Sequence, residues 1–503
     1  MKIFSAPQIS AWDDYTIREE PIDAINLMER AAQQCVDWLL LQYKSQVNYS
    51  IFCGKGNNGG DGLAIARLLA EHGKEIQIHI LEFGFPGTDS FQQNLARLHH
   101  YPTVHIQYIQ GADHFYKIPA QNLVIDALYG SGLNRKLEGL AALLVAHINQ
   151  SANEVIAIDI PSGMFCDQSS LLNPCIHAKH TLSFTNKLAF YLDENLPLLG
   201  TLHLLNIGLH PSFYQYTEAD FETLEVENIQ SLLKPRKRNS HKGNQGHALL
   251  CVGSMGKMGA AILAAKGAIR AGLGLLTCQV PARGNDLIQL AVPEALTFID
   301  EGKDFIKTIP PQLDKYEAIG IGPGIGQDSA TSKWLEELLK AARRPVVLDA
   351  DALNIIALHP ALLSHVPPKS ILTPHPKEFQ RLFGDTTSQI QRIQLAVSKA
   401  KELDIFILLK GHHSFLACPN GPHFFNTTGN AGMARGGAGD VLTGIITGLV
   451  AQGYSTEAAL KIGVFLHGLA GDIAAQQHSM EGMSIEDLIH SIGAAWKQLI
   501  TNQ

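Results

Sequence analysis

The sequence predicts two α/β domains in tandem, each built on a parallel, doubly wound sheet. Three observations carry this reading. A chain of 503 residues exceeds the roughly 100–250 residues that one core commonly organises. Short apolar runs ending on glycine or an acid recur along it with helical segments between them, the pattern of strands feeding crossover helices. The composition, 46% hydrophobic and 17% charged with 45 glycines, suits apolar strands alternating with amphipathic helices and excludes disordered or collagen-like chains.

The elements follow in order. Residues 9–43 carry helical periodicity, with Ile22, Ile25, Leu27, Met28, Ala31 and Ala32 on shared faces of one or two helices. YSIFCG at 49–54 predicts a strand, which leads through GKGNNGGDG into the helix LAIARLLAEHG and its closing glycine. EIQIHILEF, NLVIDALYG and EVIAIDIPSG repeat the theme and complete one doubly wound sheet. The pattern breaks between 205 and 245, in NIGLHPSFYQY and the basic run KPRKRNSHKG, so the boundary is set at 220, giving domains 1–220 and 221–503. The second half restarts at GHALLCVGS, continues in a Gly- and Ala-rich helix over 259–271, and has strands at YEAIGIGPG, PVVLDADAL, KSILTPHP and DIFILLKG. Both halves place glycine-rich loops at strand ends, where open α/β sheets bind ligands.

A formal net charge of −8 gives no broad positive field, so binding along a nucleic-acid backbone is not expected. The basic residues Lys234, Arg236, Lys237 and Arg238 read as a charged linker. Seven cysteines stand singly with no CxxC spacing, which points to a reducing compartment. The first twenty residues hold no signal-peptide core, and no run approaches the roughly 20 apolar residues of a membrane helix. The expected location is the cytosol, away from membranes.

In the first half, residues 54–62 pack five glycines, two asparagines and an aspartate between a strand and a helix. Glycines let backbone approach a ligand, and the helix start offers free N–H groups to phosphate. A tight turn alone does not ask for two amides and a carboxylate together. GNNGGDG, VIDALYGSG and IDIPSG, in that order, resemble the motifs of the YjeF-type NAD(P)H-hydrate epimerase domain, a Rossmann-like fold. The resemblance spans most of 1–220. It implies that Asn57, Asn58, Gly59, Gly60 and Asp61, together with Gly130, Ser131, Gly132, Leu133, Asn134, Arg135 and Lys136, bind the hydrated dinucleotide. It makes Asp159 the acid/base residue, and Asn58, Asp126 and Ser162 ligands of a potassium ion, a role that hard oxygens suit. The plainer reading of Asp159, before Pro161, is a helix N-cap. Lys187 falls where the family places a lysine near the site, and Lys55 stands where many relatives carry a small residue.

In the second half, Asn430–Asp440 crowds glycines ahead of the apolar run VLTGIITGLVAQG. N–H groups at such a helix start stabilise a phosphoryl group in flight, and Asp440 there can accept the proton of an attacking hydroxyl. This GGxGD arrangement resembles that of ribokinase-like enzymes, the alternative being an N-capping aspartate. HKGNQGHALLCVGS, IGPGIG, LDADAL, TPHPKEF and LKGHHS narrow the resemblance to the YjeF-related, ADP- or ATP-dependent NAD(P)H-hydrate dehydratases over about 230–495. By that resemblance Ala260, Gly324, His375 and Asp440 meet the hydrate, while Lys410, Gly411, His412, His413, Ser414 and Gly439 meet the adenine nucleotide. Asp349 and Asp351, at a strand end, suit magnesium and helix capping equally. The expected chemistry is repair of hydrated NADH and NADPH: epimerisation of the R and S forms, then dehydration of the S form with Mg²⁺ and ADP, ATP being the other candidate donor. A homo-oligomer is expected. The competing readings are a small-molecule kinase with a regulatory first domain, against which TPHPKEF and the fused GNNGGDG domain stand, and a non-catalytic first domain, against which Asp61, Asp126 and Asp159 stand together.

Overall fold

Continuous apolar runs such as Tyr49–Cys53 and Leu123–Ala127 are buried along their whole length, as strands covered on both faces by helices must be. In this computed structural model, which describes residues 1–501, such strands build two sheets in two units. One unit comprises Lys2–Asp220 with Ser388–Ile390, and the other Met1, Phe221–Thr387 and the described residues from Gln391 on.

The first unit holds seven parallel strands in the spatial order Val104–Ile109, Glu75–Leu81, Asn48–Cys53, Leu123–Ala127, Val155–Ile158, His180–Ser183 and Thr201–Leu204. The chain order reverses between Asn48–Cys53 and Leu123–Ala127, and open sheets bind ligands at such a switch point, beyond the carboxyl ends of the strands. Two helices, Ala6–Glu19 and Ala24–Gln42, satisfy the periodicity of residues 9–43. Cys35, Val36 and Leu39 pack with Leu63, Ile65 and Leu69 of helix Asn57–Glu71 in one core. Leu144, Val145 and Ile148 of helix Gly139–Gln150 pack with Phe52 and Val124 in another.

The second unit repeats the plan: Leu296–Ile299, Leu275–Val280, His247–Cys251, Ala318–Ile321, Val346–Leu348, Ile371–Leu372 and Phe406–Leu409 run parallel, and the order again reverses, here between His247–Cys251 and Ala318–Ile321. Antiparallel strands Ser414–Ala417 and His423–Asn426 extend the sheet, and Phe221–Thr223 pairs in parallel with the latter. One expectation is corrected. Helix Thr456–Gly482, at 27 residues, is long and apolar enough to span a membrane, yet 72% of its most apolar window is buried in the unit, so it is a core helix.

Candidate active sites

At the first switch point three motif segments converge. Helix Asn57–Glu71 begins inside GNNGGDG, so the asparagines occupy its first turn. A Cβ on Gly59 would lie 1.7 Å from the Gly54 carbonyl, and one on Gly130 would lie 3.0 Å from Asp159 Oδ2 and 3.2 Å from Asn58 Cβ. Only glycine lets the carboxylate, the amide and both loops come this close. Asn58 is 8% exposed, and among the described residues neither its Oδ1 nor its Nδ2 finds a partner. A buried amide left so is a group awaiting a ligand.

Asp159 is held from both sides. The Ser131 N–H donates to Oδ2 at 2.8 Å, and the Lys187 ammonium lies 2.7 Å from Oδ1. Lys187 is fully buried and also donates to Ser183 Oγ at 2.6 Å and Thr185 Oγ1 at 3.0 Å. Burial alone would raise the Asp159 carboxyl, but Lys187 and Ser131 outweigh it and hold the group below its ordinary range. Its φ of +67° is a conformation that non-glycine residues keep only under constraint, and no helix follows it, so it is not an N-cap. Around it stand two carboxyls pushed the other way. Burial and the charges of Asp159 and Asp13 lift Asp61 well above the usual range, and Asp13 itself is raised to about 7 by burial and by Asp159, against the pull of Lys187.

Asp126 and Ser162 form a buried pair: Ser162 N–H and Oγ donate to the two carboxylate oxygens at 2.8 and 2.6 Å. Burial raises Asp126 to about 6 despite the hydrogen bonds from Ser162 and Leu128. With the unpartnered Asn58 oxygen, this set of amide, carboxylate and hydroxyl fits a hard monovalent cation. Among the described residues no group of three His, Cys, Asp or Glu side chains suits a transition metal. Gly132, Asn134, Arg135 and Lys136 stay exposed on their loop, and the Leu133 N–H donates to the Gly130 carbonyl at 3.2 Å.

The second site gathers at the other switch point. Helix Ala438–Ala451 starts within the glycine run, with Gly437 as N-cap at φ +104°, so Asp440 lies in the first turn rather than capping it. Burial and the neighbouring Asp349 charge push Asp440 up to about 6, with Lys410 pulling down. Lys410 Nζ lies 2.7 Å from Asp349 Oδ1, Thr443 donates to Asp349 Oδ2 at 2.7 Å, and a Cβ on Gly439 would lie 3.4 Å from Lys410 Nζ. Gly324 and Ala260 are neighbours, a Cβ on the former lying 3.1 Å from the latter's methyl. Lys257, half-exposed beside them, pairs with Asp351 at 3.0 Å, and Asp351 also accepts the Gly326 N–H at 2.9 Å. Asp349 and Asp351 thus aim lysines, and neither side chain caps a helix.

His375 caps a helix and keeps part of its ring open to solvent. Its Nδ1 accepts from Lys377 and Glu378 N–H groups and caps helix Pro376–Phe383, while the ring stays 45% exposed. Gly411 and His412 are exposed, and the His412 and His413 rings meet edge-on with centroids 4.5 Å apart. Sequence reading missed four neighbours of these sites: Asp13, Lys257, Thr443 and His467. His467 is buried with Nε2 unpartnered among the described residues, and burial lowers it to about 4. None carries a motif; only the fold brings them in.

Comparison with known proteins gives two family matches: residues 24–189 to the YjeF-related protein N-terminus and 248–493 to NAD(P)H-hydrate dehydratase. The chain is 34% identical, over 97% of its length and 95% of the relative's, to a bifunctional NAD(P)H-hydrate repair enzyme of Moorella thermoacetica. Among solved structures, the ADP/ATP-dependent NAD(P)H-hydrate dehydratase of Bacillus subtilis, co-crystallised with ATP and Mg²⁺, is 33% identical with a TM-score of 0.50, over 55% of this chain and 98% of that one. A ribokinase-like superfamily protein of Enterococcus faecalis is 26% identical with a TM-score of 0.51, over 56% and 98%.

Proposed function

The chain belongs to the bifunctional NAD(P)H-hydrate repair enzymes, and on that premise we propose how its residues divide the work. The enzyme epimerises R and S hydrates of NADH and NADPH and dehydrates the S form, converting ADP to AMP and phosphate. The observation that carries the assignment of the first site is the meeting of Asn58, Gly130 and Asp159, one residue from each motif, around a carboxylate held ionised.

In the first site Asp159 takes the proton of the hydroxyl on ring carbon six as that oxygen becomes a carbonyl and the bond from the carbon to the ring nitrogen breaks, its electron pair going to nitrogen. Nitrogen then recloses on the opposite face of the carbonyl and Asp159 returns the proton to oxygen. Lys187 and the Ser131 N–H fix the carboxylate's position. Asn58, Asp126 and Ser162 would hold potassium, whose charge steadies the loops that carry the substrate's phosphates, with Arg135 and Lys136 exposed to meet them.

In the second site Asp440 removes the proton from the hydrate's hydroxyl as its oxygen bonds to the terminal phosphorus of ADP, releasing AMP. N–H groups at the start of helix Ala438–Ala451 and the Lys410 ammonium stabilise charge on the moving phosphoryl group. Phosphate then leaves with the carbon–oxygen bond pair as the ring nitrogen supplies electrons to form an iminium, and transfer of a proton from ring carbon five to the departing phosphate restores the dihydropyridine. Ala260, Gly324 and His375 bound the hydrate, while Gly411–Ser414 and Gly439 bound the nucleotide. Because both nearby aspartates are engaged by lysines, magnesium would come with the nucleotide, held by its phosphates rather than by a protein cage. Seven unpaired, buried cysteines support a cytosolic setting, and we expect a homo-oligomer.

The direct test is recovery of dihydronicotinamide absorbance from a mixed R and S hydrate of NADH with the protein, Mg²⁺ and ADP or ATP. Complete recovery above the spontaneous rate is expected, and the faster nucleotide names the donor. Recovery of the S fraction alone would remove the epimerase assignment, and none with either nucleotide would return the second domain to the small-molecule kinases.

A further inference from the structure

We propose that Phe83 and Phe85 form the platform on which the adenine of the hydrated dinucleotide stacks in the first site. Strand Glu75–Leu81 ends in the loop Glu82–Thr88, where Phe83 is 46% and Phe85 50% exposed, their planes within 7° and their centroids 6.2 Å apart. The loop that carries them is pinned. Lys55, from the substrate loop, reaches across to the Glu82 carboxylate and the Phe85 carbonyl with only 8% of its side chain exposed. The Thr88 N–H donates to the Lys55 carbonyl at 3.0 Å. Two aromatic faces presented to solvent by a pinned loop are held for something flat.

The strand order says what. Asp159 follows Val155–Ile158, three positions along the sheet from Glu75–Leu81, and strands about 4.8 Å apart set the two strand ends roughly 14 Å apart. Between them lie the Gly130–Lys136 loop and the start of helix Asn57–Glu71, both suited to phosphates. Doubly wound sheets bind a dinucleotide across the switch point with one nucleotide on each half. A nicotinamide hydrate at Asp159 therefore sends its adenosine toward Phe83 and Phe85. An acid in the position of Glu82 commonly takes ribose hydroxyls; here Lys55 and the Gly84 N–H, at 2.7 Å, engage it, and since the Lys55 ammonium also sits 5.6 Å from the Phe85 ring centroid, it is the exposed halves of the two rings that remain for a base.

The proposal rests on the epimerase reading, and the test separates the two. Epimerisation is followed chromatographically with ADP omitted, so that the second site is silent, on hydrated NADH and on hydrated reduced nicotinamide mononucleotide, which lacks adenosine. Base stacking on an aromatic ring sets the expected scale: Phe83→Ala/Phe85→Ala raises KM for the dinucleotide about tenfold with kcat little changed, KM for the mononucleotide stays the same, and Phe83→Tyr/Phe85→Tyr restores the dinucleotide KM. An unchanged dinucleotide KM overturns the proposal. So does an equal rise for both substrates, which would mean a collapsed loop, or a change of oligomeric state by light scattering without a change in KM, which would mean that the rings cover another copy. If the unsubstituted protein epimerises neither hydrate, the epimerase reading fails instead.

Discussion

Asp159 and Asp440, the two aspartates to which we assign a proton transfer, are both mostly buried, and their surroundings push them in opposite directions. Lys187 and Ser131 keep Asp159 below its ordinary range, whereas burial and Asp349 raise Asp440 to about 6. The two activities should therefore part company in acid. With a pKa of about 6, roughly nine-tenths of Asp440 is ionised at pH 7 and about a tenth at pH 5, so kcat/KM for dehydration should fall about tenfold between them while epimerisation keeps its ionised Asp159. The fall is not unfolding through this group. A carboxyl raised in the native state binds protons there before it does in the unfolded chain, so acidification through this window favours the folded form. A dehydration profile flat to pH 5, or an inflection unmoved by Asp349→Asn, would count against Asp440 as the base. Both aspartates were legible because glycine-rich motifs frame them. Asp13 was not, since ISAWDDYT reads as an ordinary helix with a solvated acidic pair, and only the packing of that helix sets one carboxyl in the field of Asp159.

Helices Met258–Arg270 and Ala438–Ala451 carry Ala260 and Asp440, and their closeness is written in glycine. A Cβ on Gly444 would fall 1.9 Å from the Ala264 carbonyl, and one on Gly267 would fall 2.4 Å from the Val441 carbonyl, so backbone meets backbone at the crossing. Gly444→Ala should force the axes apart, cost about 1–3 kcal/mol by overpacking, and lower dehydratase activity more than substrate binding at the first site, measured by thermal unfolding alongside both assays. A variant equal to the parent in both would show that the crossing does not set the site. Elements of this kind were readable from their periodicity and closing glycines, and the switch-point loops with them. Short strands such as His180–Ser183 and Thr201–Leu204 were not, because four residues mixing polar and apolar types give no period to count. Pairing in the finished sheet makes them strands, and His180–Ser183 then delivers Ser183 to Lys187.

At the scale of the whole molecule, two chemistries in one chain form a sequence: the second site consumes the S hydrate, and the first replenishes it from R. The sites share no catalytic residue, so each can be silenced alone. Asp159→Asn should leave an R-enriched hydrate unrepaired beyond its spontaneous epimerisation, although S is dehydrated normally. Asp440→Asn should equilibrate R and S yet release no NADH. If the S hydrate passes between sites through solvent, an equimolar mixture of the two variants should recover dihydronicotinamide absorbance from pure R hydrate at a rate that rises with protein concentration and approaches that of the parent. Recovery in the parent that outruns the mixture at every concentration would instead show transfer within one chain, and loss of both activities in either single variant would undo the division of labour.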